Sequence, residues 1–241
     1  VSSLAFTADG NGWATTSEGL FRFSNGTKKW ETTKTNITTF EETAVKLVVS
    51  DQQSGLWAYP DRYDLNYLAY FDGQLWKRWP ITRYECRSTT PKTVVEYQGD
   101  IWFTTSLTKC GVWRFDGQIL ENLGLPQINS LATDHNTKLY ATESKGTVLV
   151  YDGTDWQRLP DCTKCRELGL SLGDAIAADA TGRVWATYYK VVVENTVPDF
   201  GTLHYYYNSS IWRYSTDQGW CHILTLDPGP YVRSLLIDAY G

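Results

Sequence analysis

The chain has 241 residues, 42% of them hydrophobic and 20% charged, a globular composition and not that of a disordered chain. Its net charge is −5, with no basic stripe, which argues against nucleic acid and against an anionic membrane surface as partners. The longest apolar stretches, such as residues 147–151, fall far short of the ~20 residues of a membrane-spanning helix.

The predicted elements follow a repeat. The first unit, near residues 1–36, runs from Val1-Ser-Ser-Leu-Ala-Phe6 through a turn at Asp9-Gly10 to a strand led by Trp13. A Gly19-Leu20 step then enters Phe21-Arg-Phe23, and Asn25-Gly26 turns the chain back to Trp30. The second unit, near 45–81, repeats the plan at Asp51, Trp57, Phe71-Asp-Gly73 and Trp76. The third, near 93–125, does so at Gly99-Asp100, Trp102, Phe115-Asp-Gly117 and Leu120. The fourth, near 128–160, has Asp134, Tyr140, Tyr151-Asp-Gly153 and Trp156, and the fifth, near 174–226, has Asp179, Trp185, Tyr214 and Trp220. The leading aromatics Trp13, Trp57, Trp102, Tyr140 and Trp185 stand 44, 45, 38 and 45 residues apart, the length of a propeller blade.

Asp-Gly and Asn-Gly between alternating apolar residues predict hairpins with type I′ turns, in which both central residues take positive φ. Each unit therefore has two tight turns and about four short strands, and no stretch carries a sustained helical period. The predicted fold is all-β: one β-propeller domain over 1–241, with five complete four-stranded blades and the first strand of a further blade. That last strand is expected at 231–241, where Tyr231-Val-Arg-Ser-Leu-Leu-Ile-Asp-Ala-Tyr-Gly241 mirrors the opening of the chain. A sixth start, together with a first residue Val1, no Met and no signal peptide, leads to the expectation of a processed protein or a piece of a longer propeller.

The repeats resemble those of the two-component-regulator propellers found in exported bacterial sensors. Val1-Ser-Ser-Leu-Ala through Trp13-Ala-Thr-Thr-Ser-Glu-Gly-Leu-Phe-Arg-Phe23 matches that unit closely; Cys110-Gly-Val-Trp-Arg-Phe-Asp-Gly117 and Gly182-Arg-Val-Trp-Ala-Thr187 match it in part. The resemblance implies an extracellular or periplasmic sensing, binding or scaffolding domain. Asp100-Ile-Trp-Phe-Thr-Thr105 also resembles virginiamycin-B-lyase-like propellers, whereas Thr7 to Trp13 does not reproduce the sialidase Asp-box.

In such blades the turns alternate between two ends, and function is expected at the end bearing the long insertions. That end collects Tyr63, Asp64 and Tyr67 from the second blade, Tyr84 from the connection after it, and Tyr188, Tyr189, His204, Tyr205 and Tyr206 from the fifth. One reading is a tyrosine-rich rim for a protein or saccharide ligand, since Tyr joins apolar area to a polar tip. The other is an extended hairpin, with Val191–Val193 and Tyr205–Tyr207 as its strands.

Cys86 and Cys110 are expected at the same end and are candidates for a disulfide. Cys162-Thr-Lys-Cys165 lacks a visible helix start and two further metal ligands, so a local disulfide or free thiols are favoured over redox or zinc chemistry. Cys221 reads as a small buried hydrophobe in an outer strand. The recurrent turn residues Asp9, Asp51, Asp134, Asp179 and Asp238 read as backbone caps, not as calcium ligands. Sequons stand at Asn25, Asn36 and Asn208.

No catalytic motif is present, and no metal or cofactor is expected. The reading is an exported, non-enzymatic propeller that binds a ligand or partner or serves as an assembly module. The alternative is a lyase or hydrolase acting on a saccharide or cyclic peptide, with His204 and loop carboxylates as the acid–base set.

Overall fold

The computed structural model describes residues 3–7, 10–16, 19–32, 45–50, 55–60, 67–72, 75–80, 91–105, 110–125, 128–134, 137–195, 203–229, 231–232 and 235. The chain is an all-β propeller of five four-stranded antiparallel blades, each a simple meander. Blade one is β1 (Ser3–Phe6), β2 (Gly12–Thr16), β3 (Gly19–Ser24) and β4 (Lys29–Thr32). Blade two is β5 (Val45–Ser50), β6 (Leu56–Pro60), β7 (Tyr67–Phe71) and β8 (Trp76–Pro80). Blade three is β9 (Pro91–Tyr97), β10 (Asp100–Thr105), β11 (Val112–Phe115) and β12 (Leu120–Asn122). Blade four is β13 (Ile128–Thr133), β14 (Leu139–Glu143), β15 (Thr147–Tyr151) and β16 (Trp156–Arg158). A five-residue helix, α1 (Thr163–Glu167), precedes blade five: β17 (Ser171–Ala178), β18 (Val184–Asn195), β19 (Leu203–Ser215) and β20 (Gly219–Gly229). The strand expected at 231–241 lies outside the described residues except for Tyr231, Val232 and Leu235.

The two aromatic series of the sequence have distinct physical roles. The second series forms cross-strand pairs flanking the outer hairpins: Phe23 opposite Trp30, Phe71 opposite Trp76, Tyr151 opposite Trp156 and Tyr214 opposite Trp220. Their ring centroids lie 5.2–5.4 Å apart, the range in which tilted rings attract. Four of the five leading aromatics, Trp13, Trp102, Tyr140 and Trp185, are core residues, and Trp57 is half-buried. Arg22 and Arg114, paired across the sheet from Trp13 and Trp102, lay their guanidinium groups over those rings.

The turn chemistry differs from the type I′ expectation. Gly117 and Gly153 have positive φ, but Asp116 and Asp152 do not. Each Asp opens a four-residue loop and accepts backbone N–H groups on one carboxylate oxygen: Gln118 and Ile119 on Asp116, Thr154 and Asp155 on Asp152. An Asx cap thus replaces the second left-handed residue. Positive φ at both central residues occurs instead at Gln98 and Gly99, between β9 and β10. The Asp residues of the inner turns act in the same way: Asp134 accepts from the N–H groups of Thr137 and Lys138, and Asp179 from those of Thr181 and Arg183. Asp9, Asp51 and Asp238 lie outside the described residues.

The chain comprises two compact units, Val1–Pro126 with blades one to three and Gln127–Gly241 with blades four and five. In the first, Trp13 and Leu20 of blade one pack with Leu56, Ala58 and Ala69 of blade two, while Leu68 of blade two joins Ile101 and Phe115 of blade three. In the second, a single cluster spans Ala132, Tyr140 and Val148 of blade four, Cys162 and Cys165 of the connection, and Ile176, Val184, Tyr188 and Trp212 of blade five. The connection is therefore part of the core between its two blades.

Candidate functional site

The second unit holds a pocket of about 470 Å³ at the end of blades four and five where the β14–β15 turn and the interblade connection meet. Its lining begins with that turn. Glu143 pairs with Thr147 across the three residues Ser144, Lys145 and Gly146, and Gly146 takes φ 90°, the left-handed residue such a loop requires. Lys145 is exposed at the tip and makes no ion pair among the described residues.

The opposite wall is α1. Cys162 caps it, its sulfur accepting the N–H of Cys165 at 3.2 Å, and the two cysteines are joined in a disulfide with Cα atoms 5.2 Å apart. The absence of a helix start at this C-x-x-C motif, read from the sequence, is corrected: five residues are too few to show a period, and the cap is a cysteine. Leu170 N–H on Cys165 O and Gly169 N–H on Arg166 O, both 2.9 Å, return the chain to β17. Arg166 projects from α1 and holds Asp161 at 2.6 Å, both side chains mostly exposed.

The floor comes from Leu170, Ser171 and Leu172 with Tyr188 and Tyr189 of β18. A bulge between Leu172 and Ile176 shifts the register of β17 against β18. Gly173 permits it, because a Cβ there would collide with Thr187 Oγ1. Thr187 Oγ1 in turn bridges the N–H and C=O of Ala175 at 3.3 Å each.

The adjacent tyrosines differ in role. Tyr188 is 5% exposed and packs edge-on against Trp212 and Trp220; burial, reinforced by the charge of Asp161, pushes its hydroxyl well above the ordinary phenol range. Trp220 Nε1 donates to Pro160 O at 2.7 Å, tying the outermost strand of blade five to the connection. Tyr189 instead joins Tyr207 and Tyr231 in a cluster of three rings with centroids 5.0–5.8 Å apart. Burial raises the Tyr231 hydroxyl to about 12, and that hydroxyl accepts the N–H of Asp174 at 3.2 Å.

Above the pocket β18 and β19 continue past the blade. They pair without a break from Val184–Tyr214 to Asn195–Leu203, whereas β17 stops at Ser171 opposite Tyr189. The segment expected as a long loop is thus largely a two-stranded ribbon, the second of the two readings made from the sequence. His204, Tyr205 and Tyr206 stand on it opposite Glu194, Val193 and Val192.

Of the residues expected at the functional end, Tyr188 and Tyr189 line the pocket, together with Cys162 and Cys165. Tyr67 is 8% exposed, packed in the core of blades one and two with Arg78 over its ring, so it belongs to the interior rather than to a rim. Tyr63, Asp64, Tyr84 and Cys86 lie outside the described residues, as does Asn36. Cys110 is disulfide-bonded, and Cys221 carries a free, half-buried thiol instead of a fully buried one. Asn25 is exposed and Asn208 half-buried. Sequence reasoning missed Lys145, Asp161 and Arg166, which carry no motif and meet only through the turn and connection geometry. Among the described residues no group of three or more His, Cys, Asp or Glu converges as a metal site, and no helix is long and apolar enough to cross a membrane.

No family model and no curated protein matches the chain. Many solved structures do. The extracellular domain of a hybrid two-component system from B. thetaiotaomicron is 15% identical over 88% of this chain, with TM-score 0.57. The chain spans a third of that protein's length. A DUF4221-family protein from Bacteroides vulgatus is 9% identical over 93% of this chain and 82% of its own, with TM-score 0.59. YCF48 bound to D1 peptide is 13% identical over 91% of this chain and 79% of its own, with TM-score 0.53. At these identities the likeness is one of fold: the chain is a β-propeller.

Proposed function

We propose that the chain is an exported, non-enzymatic partner-binding module of the two-component-regulator propeller type, and that it docks a protein or peptide at the blade four–five end. The observation that carries this reading is the pocket itself. Its walls are a tight turn, a disulfide-closed connection and a core strand, and an extended ribbon stands beside it. Rigid walls lower the ordering cost of binding, and a volume of about 470 Å³ lies in the range of ligand sites. The ribbon adds a main-chain edge that extends the contact beyond the pocket. Several propellers of this fold are known in assemblies, including the mitotic checkpoint complex and YCF48 bound to D1 peptide, and the sensor domain is extracellular.

The test is an immobilised peptide array probed with three proteins: the intact chain, Tyr189→Ala, and a variant with residues 192–206 replaced by Asn-Gly. The intact protein should select a subset of peptides, and both variants should lose about tenfold or more in affinity, about 1.4 kcal/mol, while still unfolding in a cooperative transition. Retention of the full pattern by both variants would place the docking surface elsewhere.

A further inference from the structure

Resting on that reading, we infer that the blade four–five pocket is a carboxylate receptor, and that the segment it takes from a partner is an acidic peptide. The chain as a whole is anionic, at −5, yet the charged side chains lining this pocket are Lys145 and Arg166 against the single Asp161. A local excess of positive charge in an acidic protein attracts anionic groups from solution and repels basic ones.

The two cations are differently prepared. Lys145 has no ion-pair partner among the described residues and sits on a loop tip fixed by Gly146. Arg166 is paired with Asp161, but through Nη2 and Oδ2 alone and with side chains 70% and 59% exposed. An exposed pair of this kind contributes little to stability, so it exchanges readily. The guanidinium also has further N–H donors in a planar fork, suited to a second carboxylate. Asp161 therefore serves as an internal stand-in that holds Arg166 over the pocket until a partner's carboxylate arrives. The rest of the lining is matched to a peptide's other groups: the hydroxyl of Ser171 to its main chain, and the Tyr189 ring to a flanking side chain.

A peptide is favoured over an isolated small acid by the setting. The pocket is continuous with β18, whose edge is unpaired by β17 beyond Tyr189, so a bound chain has backbone partners next to its carboxylate.

The experiment is fluorescence anisotropy with a labelled decapeptide of Glu, Tyr, Ser and Gly, and with its isostere carrying Gln for every Glu. Wild-type protein should bind the acidic peptide about tenfold or more tightly than the isostere, and about tenfold more weakly as salt rises from about 0.05 M to about 0.3 M. Lys145→Gln with Arg166→Gln should abolish that preference, while Asp161→Asn, which removes the competing carboxylate, should tighten binding severalfold. Free glutamate should compete only at far higher concentration than the peptide; equal competition would overturn the peptide assignment. Equal affinity for the two peptides, or an unchanged preference in the double variant, would overturn the carboxylate assignment. The docking reading would survive that result if Tyr189→Ala and the ribbon variant still lost binding to array peptides. Absence of binding by both peptides would also overturn the carboxylate inference.

Discussion

Gly173 is the residue on which the pocket floor depends. The bulge in β17 brings its backbone against Thr187, and an added methyl group has nowhere to go. Gly173→Ala should destabilise the protein by about 1–3 kcal/mol, the usual cost of overpacking, measured as a lower urea midpoint. Thr187→Ala should relieve part of that cost in the double variant, because the two sites touch and their effects do not add. Asp179 makes a comparable case at the opposite end of the same blade. Its carboxylate is buried and holds the Thr181 and Arg183 N–H groups with Arg183 Nε, so Asp179→Ala should cost about 1–3 kcal/mol. The two positions differ in how visible they are in a sequence. Asp179 recurs with the repeat and is read as a cap without a structure. Gly173 belongs to no repeat, and only the register shift between β17 and β18 reveals what it is for.

The elements were legible to the degree that they were periodic. Alternation of aromatics with Asp-Gly turns placed four strands in each blade and the cross-strand pairs that flank their hairpins. What the period could not place was the connection before blade five, because a single turn of helix capped by Cys162 has no repeat and no amphipathic face to detect. The same connection carries the disulfide. A loop this short restricts the unfolded chain little, so replacing both Cys162 and Cys165 with Ala should lower global stability by only about 2 kcal/mol. The local effect should be larger: amide exchange across Thr163–Leu170 should accelerate well beyond what the global change accounts for. Protection unchanged there would mean that the backbone bonds to Cys165 and Arg166 suffice to hold the wall.

Across the molecule the turn-capping carboxylates are a shared acid sensitivity. Hydrogen bonds from Thr154 and the backbone hold Asp152 at about 2, below its ordinary 3.8, and the backbone N–H groups of Ile119 and Gln118 lower Asp116. For Asp179, burial opposes ionisation, but the bonds from Thr181 and Arg183 outweigh it; for Asp217, the Ser215 hydroxyl is the leading cause of a lowered value. Each folded value lies below the unfolded one, so the unfolded chain binds more protons as acid is added. The stability these groups contribute is complete above about pH 5 and is lost progressively as pH falls through 4 towards 2. Urea midpoints should be flat from neutrality down to about pH 5 and then drop steeply; a flat profile to pH 3 would contradict the capping role. The ribbon of β18 and β19 has a consequence of another kind. Its twelve unbroken pairs keep one register from Val184–Tyr214 to Asn195–Leu203, which separates the outer pairs of the ribbon from the architecture at its base. Such a platform lets specificity drift while the blade stays constant: descendants of one sequence can exchange partners by editing a few residues of the outer ribbon, and an engineer can graft a new recognition segment onto it without redesigning the scaffold.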